Sequence, residues 1–283
     1  MSNIKTGLVL EGGAMRGIYT AGVLDIFLEH GIHFDSVMGV SAGAIHGCSF
    51  VSGQKGRSIR YYRKYVSDKR FMCFLNLLRT GDLVDEQFCY HEIPEKLDIY
   101  DYEAFGKADV KFYAVSTNLE TGRAEYIQIE EMKRDIDAVR ASASMPFVSK
   151  IVEFNGMKLL DGGCSDSIPV IASRKLGNKK NVVVLTRHDG YEKKPTKIAP
   201  AKVIYGKYPK FIQALADRHI VYNQTLKFIK EKQAEGEIFV IQPEIPLTIG
   251  RMSHDLNEIQ ATYDQGRKDA LAKIEDLKKW MCE

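Results

Sequence analysis

Val37-Met38-Gly39-Val40-Ser41-Ala42-Gly43-Ala44 is the stretch that decides how this chain reads. Ser36–Val40 is a short apolar run that predicts a buried strand, and the small residues from Ser41 or Ala42 onward open a helix. The turn between them, Gly39-Val40-Ser41-Ala42-Gly43, has the spacing G-x-S-x-G. A serine that attacks a carbonyl must stand clear of the backbone on a sharp strand-to-helix turn. Small residues two before and two after it keep side chains from colliding there. A helix starting at the serine also aims its amides and positive dipole end at the charge that develops on attack. Such a pattern arises by chance about 0.1 times in a chain of this length, so the surrounding sequence has to carry the inference.

Upstream, Thr6–Leu10 is another short apolar run, ending in Glu11-Gly12-Gly13. It predicts a buried parallel strand. A helix over about 16–30 follows, stopped at Gly31. By Gly53 the chain has therefore written strand, glycine turn, helix, strand, glycine turn, helix. That order implies a parallel sheet with right-handed crossovers and a site at the carboxyl ends of its strands. Downstream, strands are expected over 111–117 and 125–129, with a helix over 131–143 that ends before Met145-Pro146. A hairpin turns at Asn155-Gly156 and exits into Asp161-Gly162-Gly163. Ile168-Pro169-Val170 opens another helix, and 181–186 reads as a second buried parallel strand. The last hundred residues read as mostly helical, with a long helix carrying Phe211, Leu215, Tyr222, Leu226 and Ile229 on one stripe. A strand at 238–241 interrupts them, and Asp255 with Glu258 resembles a capping box for a final helix.

Three segments carry candidate chemistry. Ser41 is the nucleophile. The loop Gly12-Gly13-Ala14-Met15-Arg16-Gly17 can converge backbone amides on one point, as an oxyanion hole requires. A phosphate-cradling loop would need Gly-Lys-Ser/Thr at its end, whereas Gly17 is followed by Ile18-Tyr19, and a dinucleotide fingerprint would need glycine where Ala14 stands. Asp161, at a strand end, is a turn or cap aspartate if taken alone and a candidate base beside a G-x-S-x-G. Histidine is the usual partner for such a serine, and His188, His219 and His254 follow Asp161, His188 being the best placed. Only one strand precedes the strand that leads into Ser41, however, and no His-Gly-Gly is present, both unlike an α/β-hydrolase.

The 283 residues carry 40 Lys and Arg against 37 Asp and Glu, so nothing global argues for nucleic acid. Cys48, Cys73, Cys89, Cys164 and Cys282 are scattered and odd in number, with no C-x-x-C spacing, which predicts a reducing compartment without disulfides or a zinc knuckle. The N-terminus enters a strand almost at once and Glu11 interrupts the apolar run, so no signal peptide is expected. No apolar run approaches a membrane span. These features together predict a cytoplasmic protein. Residues 55–70, rich in Lys and Arg with interleaved tyrosines, and 187–210, rich in Lys and Pro, are candidate peripheral membrane contacts, with solvated faces as the plainer reading. Residues 71–78 are apolar enough to wall an acyl-chain pocket, act as a lid or simply fill core.

Glu11-Gly12-Gly13-Ala14-Met15-Arg16-Gly17, then Gly39-Val40-Ser41-Ala42-Gly43, then Asp161-Gly162-Gly163 resemble the three signatures of the patatin-like phospholipases, in order. Arg140-Ala141-Ser142 through Met145-Pro146 and Ile168-Pro169-Val170 resemble the segments flanking the third. The resemblance implies a three-layer α/β/α sandwich with a mainly parallel sheet. It places a catalytic domain over 4–175 and a C-terminal α-rich extension over 176–283, as in a bacterial subgroup. It also implies a serine acyl-ester hydrolase acting on lipids through a Ser41–Asp161 dyad. Gly12, Gly13, Ala14, Arg16 and Gly17 would form the oxyanion loop, with Arg16 bracing it or meeting a phosphate. Gly39, Gly43, Gly162 and Gly163 would flank the motifs, and no metal or cofactor is implied. An acyltransferase using the same acyl-enzyme, or a lipid-binding protein with little turnover, are the alternatives. Two residues depart from the pattern. Ala14 replaces the middle glycine of the first signature, which leaves the oxyanion loop intact unless that position needs a positive φ, and Glu11 stands where many members have Asp.

Overall fold

A computed structural model describes residues 4–283, so Met1 to Asn3, on which the leader reading partly rests, lie outside the described residues. Eight strands form one sheet: β1 (Thr6–Leu10), β2 (Ser36–Val40), β3 (Lys111–Asn118), β4 (Ala124–Ile129), β5 (Val152–Phe154), β6 (Met157–Asp161), β7 (Lys180–Val184) and β8 (Ile238–Ile241). Their order is β5-β6-β3-β2-β1-β7-β8, with β4 paired to β3. The central strands β3, β2, β1, β7 and β8 run parallel. β1, β2 and most of β7 are buried along their length, as a sheet covered on both faces requires.

The two faces take different helices. Leu8, Leu10, Val37, Val182 and Val184 pack with α1 (Gly17–Glu29) and α2 (Ala42–Val51) and with the last helix, α10 (Leu256–Cys282). Val9, Val183 and Leu185 meet Ile168, Tyr222 and Ile229, which belong to the region of α7 (Val170–Lys175) and to α9 (Pro209–Ala234). The smaller helices are α3 (Arg57–Tyr65), α4 (Phe74–Thr80), α5 (Tyr102–Lys107), α6 (Ile136–Ala143) and α8 (Ala199–Ile204). The three-layer sandwich expected from the sequence is thus the fold. α6 starts five residues later than its apolar pattern suggests, because the Asp135 carboxylate accepts the amides of Glu130 and Glu131 and holds them in a turn.

The segment 176–283 is not confined to a helical layer. It supplies β7 and β8 to the sheet, β7 lying directly against β1. α10 seats on α1 through facing glycines: a Cβ on Gly22 would stand 2.1 Å from the Tyr263 carbonyl, and one on Gly266 2.0 Å from the Tyr19 carbonyl. Tyr19 donates to Asp269 and Tyr263 to Asp25 across the same contact.

β3 decides where the chemistry sits. β4 covers one edge of it from Phe112 to Thr117, so β2 and β6 share the other edge. β2 is parallel to β3 and ends with Val40 opposite Val115; β6 is antiparallel and ends with Asp161 opposite Ser116. The carboxyl ends of β2 and β6 therefore run towards each other and meet at adjacent positions of β3.

Candidate active site

Ser41 follows β2 with φ +54° and is 7% exposed. A β-carbon residue in that region is strained, and the strain is held by surrounding bonds. The Ser41 amide donates to Ser142 Oγ at 2.9 Å, and Ser142 Oγ donates to the Val115 carbonyl at 2.6 Å, which fastens the turn to β3 and α6. Gly12 comes so close that a Cβ there would lie 3.1 Å from Ser41 Cβ. Gly17, Gly39 and Gly43 sit where the β1 loop, the serine turn and α2 touch, each within 2.4 to 2.7 Å of a neighbouring atom had it a Cβ.

Asp161 ends β6 at 6% exposure. Its Oδ1 accepts the Gly163 amide at 2.7 Å, and the Ser41 hydroxyl is close enough to favour the charged carboxylate. Burial raises its pKa above the ordinary carboxylate value; the Ser41 hydroxyl, the Arg218 guanidinium and the Gly163 amide pull the other way without cancelling it. Gly162 must be glycine to pass the Val115 carbonyl, 2.1 Å from where its Cβ would be.

The amides of Gly12, Gly13 and Ala14 find no acceptor among the described residues, which leaves them available beside Ser41. Ala14 adopts φ +48°. The position does need a positive φ, so the alanine stays in the loop at a cost of about 1 kcal/mol relative to glycine. Arg16 is half-buried on this loop, and its Nε has no partner among the described residues.

The three histidines point elsewhere. His188 Nδ1 faces the Asp189 carbonyl, His219 Nδ1 the Ala216 carbonyl, and His254 Nδ1 the Val66 carbonyl. His46 lies with its ring against Gly17 of the oxyanion loop. Its Nδ1 meets Ser58 Oγ at 3.0 Å, and complete burial pushes its pKa down to about 3, so it stays neutral.

Ser41 opens onto an apolar cavity of about 180 Å³, walled among others by Met15, Ile45, Tyr62, Met72, Ile136 and Val139. Phe71 and Met72 belong to that wall, whereas Phe74, Leu75 and Leu78 of α4 turn outward at 63%, 49% and 83% exposure. The apolar run 71–78 is therefore half pocket and half surface.

Of the two basic segments, 55–70 spends much of its charge internally: Arg57 is buried against Asp98, Arg60 pairs with Asp98, Arg70 pairs with Asp68 and Glu92, and Tyr61, Tyr62 and Tyr65 are core. In 187–210 the exposed face holds Lys194, Lys197, Lys202 and Lys207 with Val203 and Ile204, while Arg187 and Lys193 turn inward.

Two more residues near the site matter: Arg218, which no motif marked, and Glu11, whose partners the motif did not reveal. Arg218 of α9 reaches to the Gly163 backbone. Glu11, 2% exposed, accepts the Thr186 amide and hydroxyl on Oε2 at 2.6 and 3.0 Å and the Tyr222 hydroxyl on Oε1 at 2.7 Å. The longer carboxylate ties the ends of β1 and β7 to α9.

Comparison with known proteins bears on the same residues. A patatin-like phospholipase family model matches residues 8–173, and a domain of unknown function, DUF6363, matches 208–282. The chain is 27% identical over 269 residues to the uncharacterized protein YjjU of Escherichia coli K12, covering 93% of this chain and 75% of that protein. It is 30% identical over 186 residues to the lysophospholipase NTE1 of Meyerozyma guilliermondii, spanning 65% of this chain but 13% of that protein. Among solved structures, VipD from Legionella pneumophila aligns over 96% of this chain and 67% of its own, at 14% identity and a TM-score of 0.47. With Ser41, Asp161 and the glycine loop all inside the matched segment, the chain belongs to the patatin-like phospholipase family, hydrolases of carboxylic esters.

Proposed function

We propose that the protein is a lipid acyl hydrolase working through a Ser41–Asp161 dyad. The observation that carries this is the convergence of β2 and β6 on one edge of β3, which brings a strained, buried serine and a buried carboxylate together beside free loop amides. Ser41 Oγ attacks the ester carbonyl while Asp161 accepts its proton. The amides of Gly12, Gly13 and Ala14 hold the oxyanion. Asp161 returns the proton to the leaving alcohol, and water, deprotonated by Asp161, releases the acyl chain as a carboxylic acid. A carboxylate of ordinary pKa is a weak base for a hydroxyl, and burial of Asp161 corrects that in the needed direction. The acyl chain occupies the apolar cavity beyond Ser41. In this reading, residues 4–175 carry the nucleophile, base and acyl pocket, and 176–283 closes the sheet behind them.

The protein meets its substrate at a lipid surface. Exposed Val203 and Ile204, with Lys197, Lys202 and Lys207 around α8, give an apolar patch with a cationic rim, and exposed Phe74 and Leu78 of α4 add further apolar surface. Phe147, exposed and with its amide bonded to Tyr205 Oη, stands beside the end of α8. Among the described residues no helix is long and apolar enough to cross a membrane.

Intact-mass measurement after incubation with an alkyl fluorophosphonate tests the dyad. One adduct mapping to Ser41, absent in Ser41→Ala and in heat-denatured protein, is expected. An unmodified native protein would overturn the reading.

A further inference from the structure

Four cations gather near the dyad. Arg16 follows β1, Arg187 follows β7, Lys193 lies beyond it, and Arg218 comes from α9. β1 and β7 are neighbours, so Arg16 and Arg187 rise from adjacent strand ends. Lys193 is held over the Tyr222 ring, its Nζ 4.1 Å from the centroid, and its backbone is pinned to α9 by two hydrogen bonds with Asn223, at 2.9 and 3.0 Å. Arg187 stacks on Tyr191 at 4.2 Å. A guanidinium nitrogen of Arg218 sits 3.2 Å from where Gly163 would carry a Cβ, beside Asp161.

None of the four makes an ion pair among the described residues. The buried Nε of Arg16 and of Arg218 lack any acceptor there. Buried donors are nearly always satisfied, so unsatisfied guanidinium nitrogens converging on one place point to an acceptor that comes from outside the chain. Glu11 lies close enough to attract Lys193 and Arg16, and both its oxygens are already taken by Thr186 and Tyr222. The cations repel one another: burial, then Arg218, Arg187 and Arg16, push the Lys193 ammonium down to about 7 against the pull of Glu11. An anion among them relieves that repulsion.

We infer that Arg16, Arg187, Lys193 and Arg218 form a subsite for the phosphate monoester of an acyl-ester substrate, seated on the leaving-alcohol side of Ser41. This rests on the hydrolase reading above and deepens it. Four cations whose neighbouring carboxylates are the hydrogen-bonded Glu11 and the catalytic Asp161 suit a dianion. They offer nothing to the cationic end of a zwitterionic headgroup, which separates an acylglycerol phosphate from a phosphocholine lipid. Three of the four residues lie outside the segment matched by the phospholipase family model, and Arg218 lies in the segment matched by the domain of unknown function. That domain therefore contributes to substrate choice as well as to packing. Hydrolysis releases the acyl chain as a carboxylic acid and the phosphate-bearing alcohol, water supplying hydroxyl to one and a proton to the other.

The test compares monomeric esters of one short acyl chain: acylglycerol 3-phosphate, monoacylglycerol and acylglycerophosphocholine, with wild type, Arg218→Gln and Lys193→Met. The phosphate monoester is expected to exceed both others in kcat/KM by about tenfold or more. That ratio should fall about tenfold in each variant, through KM rather than kcat. A wild-type ratio near one, or a ratio that survives both substitutions, overturns the subsite. If Ser41 takes the fluorophosphonate and monoacylglycerol is cleaved without that preference, the subsite fails and the hydrolase stands. If neither adduct nor turnover is seen, calorimetry of glycerol 3-phosphate with Ser41→Ala decides the subsite alone: binding weakened by Lys193→Met supports it, and absence of binding overturns it. Inorganic phosphate that competes while the three esters stay undiscriminated would mark a free-phosphate site and overturn the substrate assignment.

Discussion

Two regions of opposite character meet at the Ser41–Asp161 pair. In one, the cavity is walled by aliphatic and aromatic side chains drawn from residues 14–145, with Arg251 as the late addition. In the other, the surface is cationic and comes mainly from residues 187–218, beyond the family segment. The apolar wall is a product of core packing, so its residues announce themselves by hydrophobicity. The cationic wall is assembled by strand order and by one long helix crossing behind the sheet, so its residues look locally like any solvated loop or helix face. A lipid ester has the same two-sided character, with the scissile carbonyl at the boundary.

The largest effect tests the boundary itself. Asp161→Asn removes the base while keeping an acceptor for the Gly163 amide, and turnover is expected to fall by about 10⁴-fold. The variant should nevertheless be more stable, by about 1 kcal/mol in chemical denaturation at neutral pH, because it no longer buries a charge. The sign follows from the raised pKa of Asp161 in the folded state. Its contribution to stability is fully present below the unfolded-state pKa and is lost as pH rises through the folded-state value, a trend Asp161→Asn should lack. Wild-type kcat/KM should rise with pH through one step above the ordinary carboxylate range. A second, histidine-like step that His188→Ala removes would replace the dyad with a triad.

Next comes the apolar wall. Ala143→Leu fills space in the cavity, and the ratio of long-chain to short-chain ester turnover should drop about tenfold. An unchanged ratio would move the acyl chain out of this cavity. Smaller again is the surface around it: Leu78→Asp or Val203→Asp, both at exposed positions, should weaken sedimentation with anionic phosphatidylglycerol vesicles several-fold while leaving thermal stability near wild type. Vesicle binding that survives both would deny α4 and α8 a role at the membrane. The smallest effect is Ala14→Gly, expected to raise stability by about 0.5–1 kcal/mol by relieving the positive φ. A destabilised variant would mean that the gain in unfolded-chain freedom outweighs the strain.

The parts of this molecule legible in its sequence are those fixed by short-range chemistry. β1, β2 and β7 are short apolar runs bounded by turns, and the serine turn and Asp161-Gly162-Gly163 sit where small residues are sterically required. The run 181–186 was legible as a strand, but not its place beside β1, because parallel pairing across some 170 residues leaves no local trace. Arg218 gave no signal for the same reason: one arginine on an amphipathic helix is ordinary until the fold carries it to Gly163. Lys193 and Arg187 were legible only as charge, since their inward turn depends on Tyr191, Tyr222 and Asn223. The positive φ of Ala14 was hidden because the residue type argues against it.

The position of β7 has a practical consequence for anyone cutting the gene at the family boundary. A fragment ending at residue 175 loses β7 and β8, and β1 becomes the rim of the sheet. Thr6–Leu10 would then present an open row of peptide groups on a strand that is buried along its whole length in the intact protein. Unprotected apolar rims of that kind recruit other chains. The catalytic segment expressed alone should therefore collect in inclusion bodies, and co-expression with residues 176–283 should return it to solution.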